Sequence, residues 1–288
     1  ADSVALENLQ LALDSTQIKG YARVNQFSKP AIAFDLAIDD IDVDRYSAPK
    51  KASEAPAPVV TPATAAAAAT TLIPMETVRS LDINGKLSIG KLKVAQLKMA
   101  GVNLTIQAKQ GVVKTRQSIK QLYKGNYQGQ ITLNAKPKTP VISLNEKIAN
   151  VQIGPLLKDL QPKEEARLRG AVNVAAKLNT TGNTIEAIKS TLGGNVSFSL
   201  KKGAIKGFNI QKMIDVGKLA IKGKEMKLNY ADEQTVFSII KGTAKIKKGL
   251  INNPDFLAES STVEIKGGGT ANLVNEALNY KAKATLTN

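Results

Sequence analysis

The side chains that most often carry out chemistry in proteins are scarce in this sequence. It contains neither His nor Cys, so it lacks the usual proton shuttle, the thiolate nucleophile and the nitrogen and sulfur ligands of zinc. Ser–His–Asp and Cys–His arrangements are therefore excluded, as are metal sites built on thiolate or imidazole. Lys–Ser and Lys–Asp pairs remain, but almost any protein surface supplies such pairs. We expect a protein that is not an enzyme and that holds no cofactor.

The densest group of carboxylates is the segment DDIDVD, in which Asp40, Asp42 and Asp44 share one face of a strand. Carboxylates at this spacing could bind a cation. The segment departs from the EF-hand pattern, because Arg45 stands where the turn Gly belongs and Lys51 where the bidentate Glu belongs. We interpret the three aspartates as a solvated strand end and predict no metal site.

A second segment of interest is the glycine run from Gly267 to Gly269, which Thr270 follows. A phosphate-binding loop would end in Gly-Lys-Ser/Thr and lead into an amphipathic helix, and this segment does neither. Its surroundings are typical of strands. The run therefore predicts a bulge or a close approach of two backbones.

The sequence is strongly basic, with 40 Lys and Arg residues against 24 Asp and Glu residues and a formal net charge of +16. Such a balance indicates anionic partners: nucleic acid, phospholipid head groups or acidic polysaccharide. Base readout favours Arg, yet most of the cations are Lys, and only 4% of the residues are aromatic and able to stack on bases. We predict no specific nucleic-acid binding. Nonspecific binding stays an alternative, as does a plain role of Lys on solvated strand faces.

The elements that would position these residues are short runs in which apolar and polar side chains alternate between turn residues. The last such run shows the pattern clearly: one parity is apolar and the other is polar or charged. The apolar parity consists of Leu278, Tyr280, Ala282, Ala284 and Leu286. Runs of this kind predict strands with one apolar face. We expect a mainly β protein: a curved antiparallel β-sheet that forms either an open groove or a closed roll or sandwich.

Three short segments change to helical spacing. In VQIGPLLKDL the apolar residues recur at i, i+3, i+4 and i+7. In GNTIEAIKSTLGG, Asn183 and Glu186 stand at capping-box spacing and Gly193 is placed to stop the helix. A third helix is predicted from Asn209 to about Ile221, with Met213 and Ile214 on its apolar side. We expect about three short amphipathic helices packed on the sheet.

A change of composition divides the chain into three parts. Residues 48–74 are rich in Ala, Pro and Thr and lack a core-forming pattern, which is typical of a flexible linker. Residues 1–47 before it predict strands that join the same sheet. Residues 75–288 after it predict the main β domain.

Several blocks, in order along the chain, resemble those of the AsmA family. They are VNQFSKPAIAFDLAIDDIDVDRY with a Pro/Ala-rich insertion after it, LDINGKLSIGKLKVAQLKMAGVNLTIQAKQGVV, VQIGPLLKDL, SFSLKKGAIKGFNI, and the final segment from FSIIKGTAKIKKG to ALNYKAKATL. The sequence KTRQSIKQLYKGNYQG departs from the family pattern, which puts the twist of the hairpin at Tyr123 and Lys124 in doubt. The resemblance covers nearly the whole chain.

The resemblance implies a periplasmic protein of Gram-negative bacteria with a role in outer-membrane biogenesis. Members of the family are typically anchored in the inner membrane by one amino-terminal helix, which this segment lacks. The family is also similar to bridge-like lipid carriers, whose long sheets shelter acyl chains along an apolar face. The implied partners are phospholipid or another acyl lipid and anionic membrane surfaces. A scaffold that contacts envelope assembly proteins through its strand edges is the alternative.

Two predicted strands supply candidates for the residues that would line such a groove. The candidates alternate along each strand and share one parity. They are Val172, Val174, Leu178, Val196, Phe198 and Leu200. Ordinary core packing is the other interpretation of the same pattern.

Overall fold

The structure is a computed structural model, which describes residues 2–46, 71–207 and 234–287 together with residues 209, 210, 212, 216, 219 and 221. Its strands form one sheet of fourteen strands, and their order in space is their order along the chain. The prediction of a mainly β protein is confirmed. Of the two forms that the sequence left open, the structure shows a single open sheet rather than two packed layers of strands.

The strands are long for a protein of this size. In chain order they are β1 Ser3–Leu13, β2 Thr16–Asn25, β3 Ala31–Asp42, β4 Asp82–Val94, β5 Leu97–Lys109, β6 Val112–Leu122, β7 Gly125–Asn134, β8 Val141–Gln152, β9 Leu168–Thr181, β10 Gly193–Lys206, β11 Gln234–Lys247, β12 Leu250–Glu259, β13 Val263–Asn272 and β14 Leu278–Leu286. The helices are α1 Met75–Ser80, α2 Ile153–Leu160 and α3 Ile185–Thr191, and a 3₁₀ turn follows β3 at Val43–Arg45.

Two-residue turns join several of the neighbouring strands. The turn between β6 and β7 consists of Tyr123 and Lys124, whose φ angles are 46° and 66°. Positive φ at both positions gives a turn whose twist matches that of the flanking strands. The turn of the hairpin whose twist the sequence put in doubt therefore has a regular conformation, with Leu122 paired to Gly125 across it, and a register shift lies beside it on β6 between Ile119 and Leu122.

The prediction of an antiparallel sheet holds for every pair except β3 and β4, which run parallel. A parallel pair requires the chain to return to the starting end of the first strand before the second begins. We call the chain between β3 and β4, residues 43–81, the return segment, and it includes α1. Most of the predicted linker, residues 48–70, lies outside the described residues.

The described end of the return segment is held at the ends of distant strands. The backbone N–H of Leu72 donates to the carbonyl of Asn183 at 3.0 Å, and the guanidinium of Arg79 donates to the carbonyls of Ala135 and Pro137 at 2.8 and 2.9 Å. These acceptors lie in the connections after β7 and β9. The segment therefore lies along the same end of several strands.

The helix predictions need one correction. The helix in VQIGPLLKDL is confirmed as α2, and the helix before Gly193 is confirmed as α3. The residue that caps α3 is Thr184 rather than Asn183: the Thr184 hydroxyl accepts from the N–H of Ala187 at 3.2 Å. The Asn183 side chain instead bonds to the backbone of Ile73.

The third predicted helix lies partly outside the described residues. Met213 and Ile214 are among the positions that are not described. The described positions from 210 to 221 are helical, and the Asn209 side chain accepts from the N–H of Lys212 at 3.0 Å. This bond is typical of a helix N-cap.

Candidate functional site

The pairing register places the apolar parity of every strand on one side of the sheet. Ile148 pairs with Val174, Val174 with Phe198, and Phe198 with Gly242, and directly paired residues point to the same face. The same register can be followed from β1 to β14. We call this side the apolar face. Its larger members are Val4, Leu6, Leu9 and Leu11 on β1; Ile18 and Val24 on β2; Ile32, Phe34, Leu36 and Ile38 on β3; Ile83, Leu87 and Ile89 on β4; Val102, Leu104 and Ile106 on β5; Val113 and Ile119 on β6; Ile131 and Leu133 on β7; Ile142, Leu144 and Ile148 on β8; the six predicted lining residues on β9 and β10; Ile240 and Ile246 on β11; Ile251 and Phe256 on β12; Ile265 on β13; and Leu278, Tyr280 and Leu286 on β14.

The opposite side, the polar face, carries amide, hydroxyl and cationic groups. One row across it runs from Arg116 on β6 through Gln130, Asn145 and Lys177 to Asn195 on β10. Such side chains remain solvated. The sheet thus separates hydrocarbon on one side from charge and hydrogen-bonding groups on the other.

The six predicted lining residues lie together on the apolar face. Val172 pairs with Leu200 and Val174 with Phe198, whereas Leu178 and Val196 pair with Gly194 and Ala176. Leu200 is buried at 7% exposure and packs over Gly170 and Gly203, while the other five are half-buried. That these side chains line a lipid site stays a prediction.

The apolar face is not covered by a second sheet in the described parts of the chain. At the edges of the sheet its side chains are exposed: Val4 and Leu6 of β1 at 53% and 52%, and Leu278 of β14 at 73%. An apolar surface that spans a whole sheet is much larger than the scattered apolar residues of ordinary surfaces, and such surfaces mark binding sites.

Helix α2 lies at one end of the central strands. It follows β8 in the chain but contacts both β9 and β5. The hydroxyl of Tyr123 donates to the Asp159 carboxylate at 2.7 Å and accepts from the backbone N–H of Lys98 at 3.2 Å. Burial and the bond to Asp159 raise the pKa of the Tyr123 phenol, so it stays protonated and keeps donating. This network fixes α2 to the start of β5 and to the β6–β7 turn.

The opposite end of the central strands is held by the return segment. The N–H of Ile73 donates to the Asn183 side-chain oxygen at 2.7 Å, and the Asn183 amide donates to the Ile73 carbonyl at 2.9 Å. Helix α1 contacts β5 and β6 at this end, where Val78 is buried. The central strands are therefore fixed at both ends, and the apolar face lies between.

A concavity of about 670 Å³ crosses six neighbouring strands, from β8 to β13. Its lining includes Val174 and Phe198, which sequence reasoning proposed, together with Ile148 and Phe256, which it did not. Lys147, Lys241 and Lys266 also line it. Phe256 makes an edge-to-face contact with Tyr280, with ring centroids 6.5 Å apart.

Four polar side chains interrupt the apolar face at β6, β7 and β8, and sequence reasoning missed them. Thr115 is one of them, and we call the other three, Gln117, Tyr127 and Glu146, the polar cluster. The Tyr127 hydroxyl donates to Glu146 Oε2 at 2.6 Å. Both groups lie directly over Gly129, where a Cβ would clash with them. A signal was present in the sequence, because Glu146 stands at an apolar position of the alternating run VISLNEKI.

The electrostatics of the polar cluster are unusual for an apolar surface. Burial and the bond to Glu146 raise the pKa of the Tyr127 phenol, which therefore remains a donor. The second carboxyl oxygen, Glu146 Oε1, and the amide oxygen Gln117 Oε1 are buried and have no hydrogen-bond partner among the described residues. The Gln117 amide nitrogen donates to Thr115 on its own strand at 2.8 Å.

The aspartates after β3 act as structural links. Asp42 accepts from the Lys93 ammonium at 3.0 Å, and the Asp44 carboxylate accepts from the N–H groups of Ala95 and Gln96 at 2.6 and 2.9 Å in the β4–β5 turn. The bond from Lys93 lowers the pKa of Asp42. In the ranges that the structure describes, no three acidic side chains are grouped to hold a metal ion.

The glycine run lies inside β13 rather than in a loop. A Cβ at Gly269 would clash with the backbone carbonyl of Asn279 on β14, and β12 shifts its register opposite this run, between Asn253 and Phe256. The prediction of a close backbone approach is confirmed. Among the helices in the described residues, none has the length and the apolar composition of a membrane span.

Comparison with known proteins gives one result. A family model described as the AsmA family matches residues 1–256, which include β1 to β11 and most of β12. Strands β13 and β14 lie beyond the match. No curated protein and no solved structure shows significant similarity to the chain.

Proposed function

The chain belongs to the AsmA family, and we propose that it is a non-enzymatic module that binds or guides phospholipids between the inner and the outer membrane. The observation that carries this proposal is the apolar face, which extends over fourteen strands without a second sheet upon it in the described residues. Acyl chains are a suitable cover for such a face, because they are apolar, flexible and indifferent to the identity of each aliphatic side chain.

Burial of an acyl chain on the apolar face would contribute enough free energy for binding. Burying one CH₂ group contributes about 0.8 kcal/mol, so a dozen buried carbons would contribute on the order of 10 kcal/mol before the losses from ordering the chain. The half-buried Val174, Val196 and Phe198 offer aliphatic and aromatic contacts over adjacent strands. Binding of this kind needs no specific pocket for each lipid.

The charge of the chain agrees with an acyl ligand that carries an anionic head group. The net charge is +16, and Lys147, Lys241 and Lys266, which border the concavity, stand at the opposite parity and point to the polar face. A face that bears these ammonium groups would be attracted to an anionic membrane surface, where lipid head groups lie. We place the module in the periplasm, with an amino-terminal anchor in the inner membrane, as part of the same proposal.

Photocrosslinking tests the proposal. A photoreactive amino acid is placed at Val196 on the apolar face or, as the control, at the adjacent Ser197, which points to the polar face. The variants are expressed in Gram-negative cells, irradiated, and examined for covalent phospholipid by mass spectrometry. We expect lipid adducts at position 196 and few at position 197. Equal labelling, or labelling at 197 alone, would contradict a lipid site on the apolar face.

A second function is favoured by the open strand edges. All nine residues of β14 are exposed, and the outer edges of β1 and β14 have no neighbouring strand among the described residues. An exposed edge can accept a strand from another protein. In this alternative the chain is a scaffold for envelope assembly proteins. Capture of such proteins by the wild-type chain, lost when Pro replaces Tyr280 and unaccompanied by bound lipid, would favour it.

A further inference from the structure

We propose that the polar cluster of Gln117, Tyr127 and Glu146 binds a hydrogen-bond donor carried by an acyl ligand, either an ammonium group or a hydroxyl group. The inference rests on the proposed function, because it assigns a specific contact within the lipid site. It concerns the middle of the sheet, at the sixth to eighth of the fourteen strands.

The cluster is assembled by the register of three strands. Gln117 pairs with Gly129, and Gly129 pairs with Glu146, so the three positions form one row across the apolar face. Gly129 contributes no side chain, and the Tyr127 hydroxyl and the Glu146 carboxyl occupy the space above it. Polar side chains from three strands therefore lie side by side on the apolar face, and two of them meet over Gly129.

The surroundings of the cluster are apolar. Leu104 pairs with Gln117 on one side, and Ala176 pairs with Glu146 on the other. Along β7 and β8 the neighbours on the same face are Ile131 and Leu144. A carboxyl group in such surroundings needs hydrogen-bond donors, since burial of an unpaired acceptor is unfavourable.

The hydrogen bonds within the cluster leave acceptors rather than donors. Tyr127 supplies one donor to Glu146 Oε2, whereas Glu146 Oε1 and Gln117 Oε1 have no partner in the part of the chain that the structure describes. Two acceptor oxygens on adjacent side chains suit a group with several N–H or O–H bonds. An ammonium group also complements a carboxylate charge.

A purely structural role accounts less well for these residues. Leu or Ile at positions 117 and 146 would continue the alternating pattern and would leave no buried acceptor unpaired. The Gln117 amide nitrogen donates to Thr115 on the same strand, and this bond does not extend to β7 or β8. Gln117 and Glu146 are each half-buried rather than fully buried, so a ligand on the apolar face can contact them.

The test compares pairs of lipids in which one member has hydrogen-bond donors that the other lacks. The chain is incubated in detergent with equal amounts of dioleoyl phosphatidylethanolamine and dioleoyl phosphatidylcholine, and native mass spectrometry measures the bound ratio. Both lipids are zwitterionic, but only the first has N–H donors. A second competition uses 3-hydroxypalmitic acid against palmitic acid. We expect the donor-bearing member of at least one pair to be preferred, by about tenfold for a charge-assisted hydrogen bond.

Substitutions in the polar cluster test whether the lipid preference depends on these residues or on the rest of the apolar face. Glu146→Leu and Gln117→Leu should remove the preference while total lipid binding is kept, and Gln128→Leu on the polar face of β7 is the control that should not change it. Circular dichroism verifies folding, and Glu146→Gln, which keeps the size of the side chain, should weaken the ammonium preference if Glu146→Leu is unstable. A preference for phosphatidylethanolamine identifies the ammonium source, and a preference for the hydroxy acid alone identifies the hydroxyl source.

Three outcomes overturn the inference, and they differ in what they mean for the proposed function. Equal binding within both pairs, or a preference that survives Glu146→Leu and Gln117→Leu, removes the role of the cluster and leaves the lipid site standing. Absence of binding for all four lipids removes the proposed function together with the inference.

Discussion

The central strands and the edge strands have the same alternating pattern but differ in what becomes of their apolar face. Leu200 on β10 is 7% exposed, whereas Leu278 on β14 is 73% exposed. The central strand has a neighbour on each side, and its side chain packs over Gly170 and Gly203. The edge strand has a neighbour on one side only. Alternation thus decides which face is apolar, and the position in the sheet decides how much of it is buried.

Residues of the apolar face have two roles, which depend on how deeply they are buried. Buried residues such as Leu200, Val151 and Val263 stabilise the fold. The half-buried and exposed residues of the same face contribute less to stability and remain able to contact a ligand. A lipid site and a hydrophobic core can therefore coexist on one side of a single sheet.

The largest expected effect is a difference in the free energy of unfolding between two Leu→Ala substitutions, one on a central strand and one on an edge strand. Leu200→Ala should reduce the free energy of unfolding by about 2–4 kcal/mol, because a buried side chain is truncated. Leu278→Ala should change it by less than about 0.5 kcal/mol, because that side chain is already in contact with solvent. Urea denaturation measures both. Equal losses would remove the distinction between central and edge strands.

The next prediction concerns the ends of the central strands. Asn183→Ala removes both side-chain hydrogen bonds to Ile73 and should lower the free energy of unfolding by about 1–3 kcal/mol, because backbone groups of Ile73 lose their partners. Hydrogen exchange at Ile73 should become faster, while exchange in β13 should be unchanged. Asn126→Ala, in β7 beside the turn at the opposite end, is a control. Unchanged protection at Ile73 would show that the return segment is held by other contacts.

The smallest effect is expected at the half-buried ion pair of Asp42 and Lys93 between β3 and β4. The folded-state pKa of Asp42 lies below its ordinary value of 3.8 because Lys93 donates to it. The bond therefore stabilises the fold above about pH 4 and is lost as the pH falls through the lowered pKa. Asp42→Asn should make the urea midpoint less dependent on pH between about pH 2 and pH 5.

A double-mutant cycle checks the cause of that pH dependence. If the bond from Lys93 is responsible, Lys93→Met should remove most of the same dependence, and adding Asp42→Asn should have little further effect. Additive effects of the two substitutions would assign the dependence to another contact.

The sequence predicts those features of the fold that follow from local periodicity. A period of two placed Val174 and Phe198 on one face without knowledge of which strands are neighbours, and the spacing in VQIGPLLKDL predicted α2. The parallel pairing of β3 with β4 was beyond local patterns, since it depends on the path of the chain between them. The role of Asn183 depends on Ile73, which is 110 residues away.

The polar cluster shows the same limit within the candidate site. Glu146 alone is a visible break in an alternating run, and Gln117 and Gly129 are unremarkable residues of two other strands. Only the register of β6, β7 and β8 brings them into one row. A sequence pattern can therefore show that a polar residue is out of place, whereas its partners require the pairing of the strands.

Acyl chains are proposed to lie on the apolar face in the middle of the sheet. The most direct test is the amount of phospholipid that co-purifies with the chain when a charge is placed on either face, measured by mass spectrometry after organic extraction. Val196→Asp should lose most of the lipid and Ser197→Asp, its neighbour on the polar face, should keep it, with both variants folded by circular dichroism. Equal lipid content in the two variants, or none in the wild-type chain, would show that the apolar face is not the site of acyl chains.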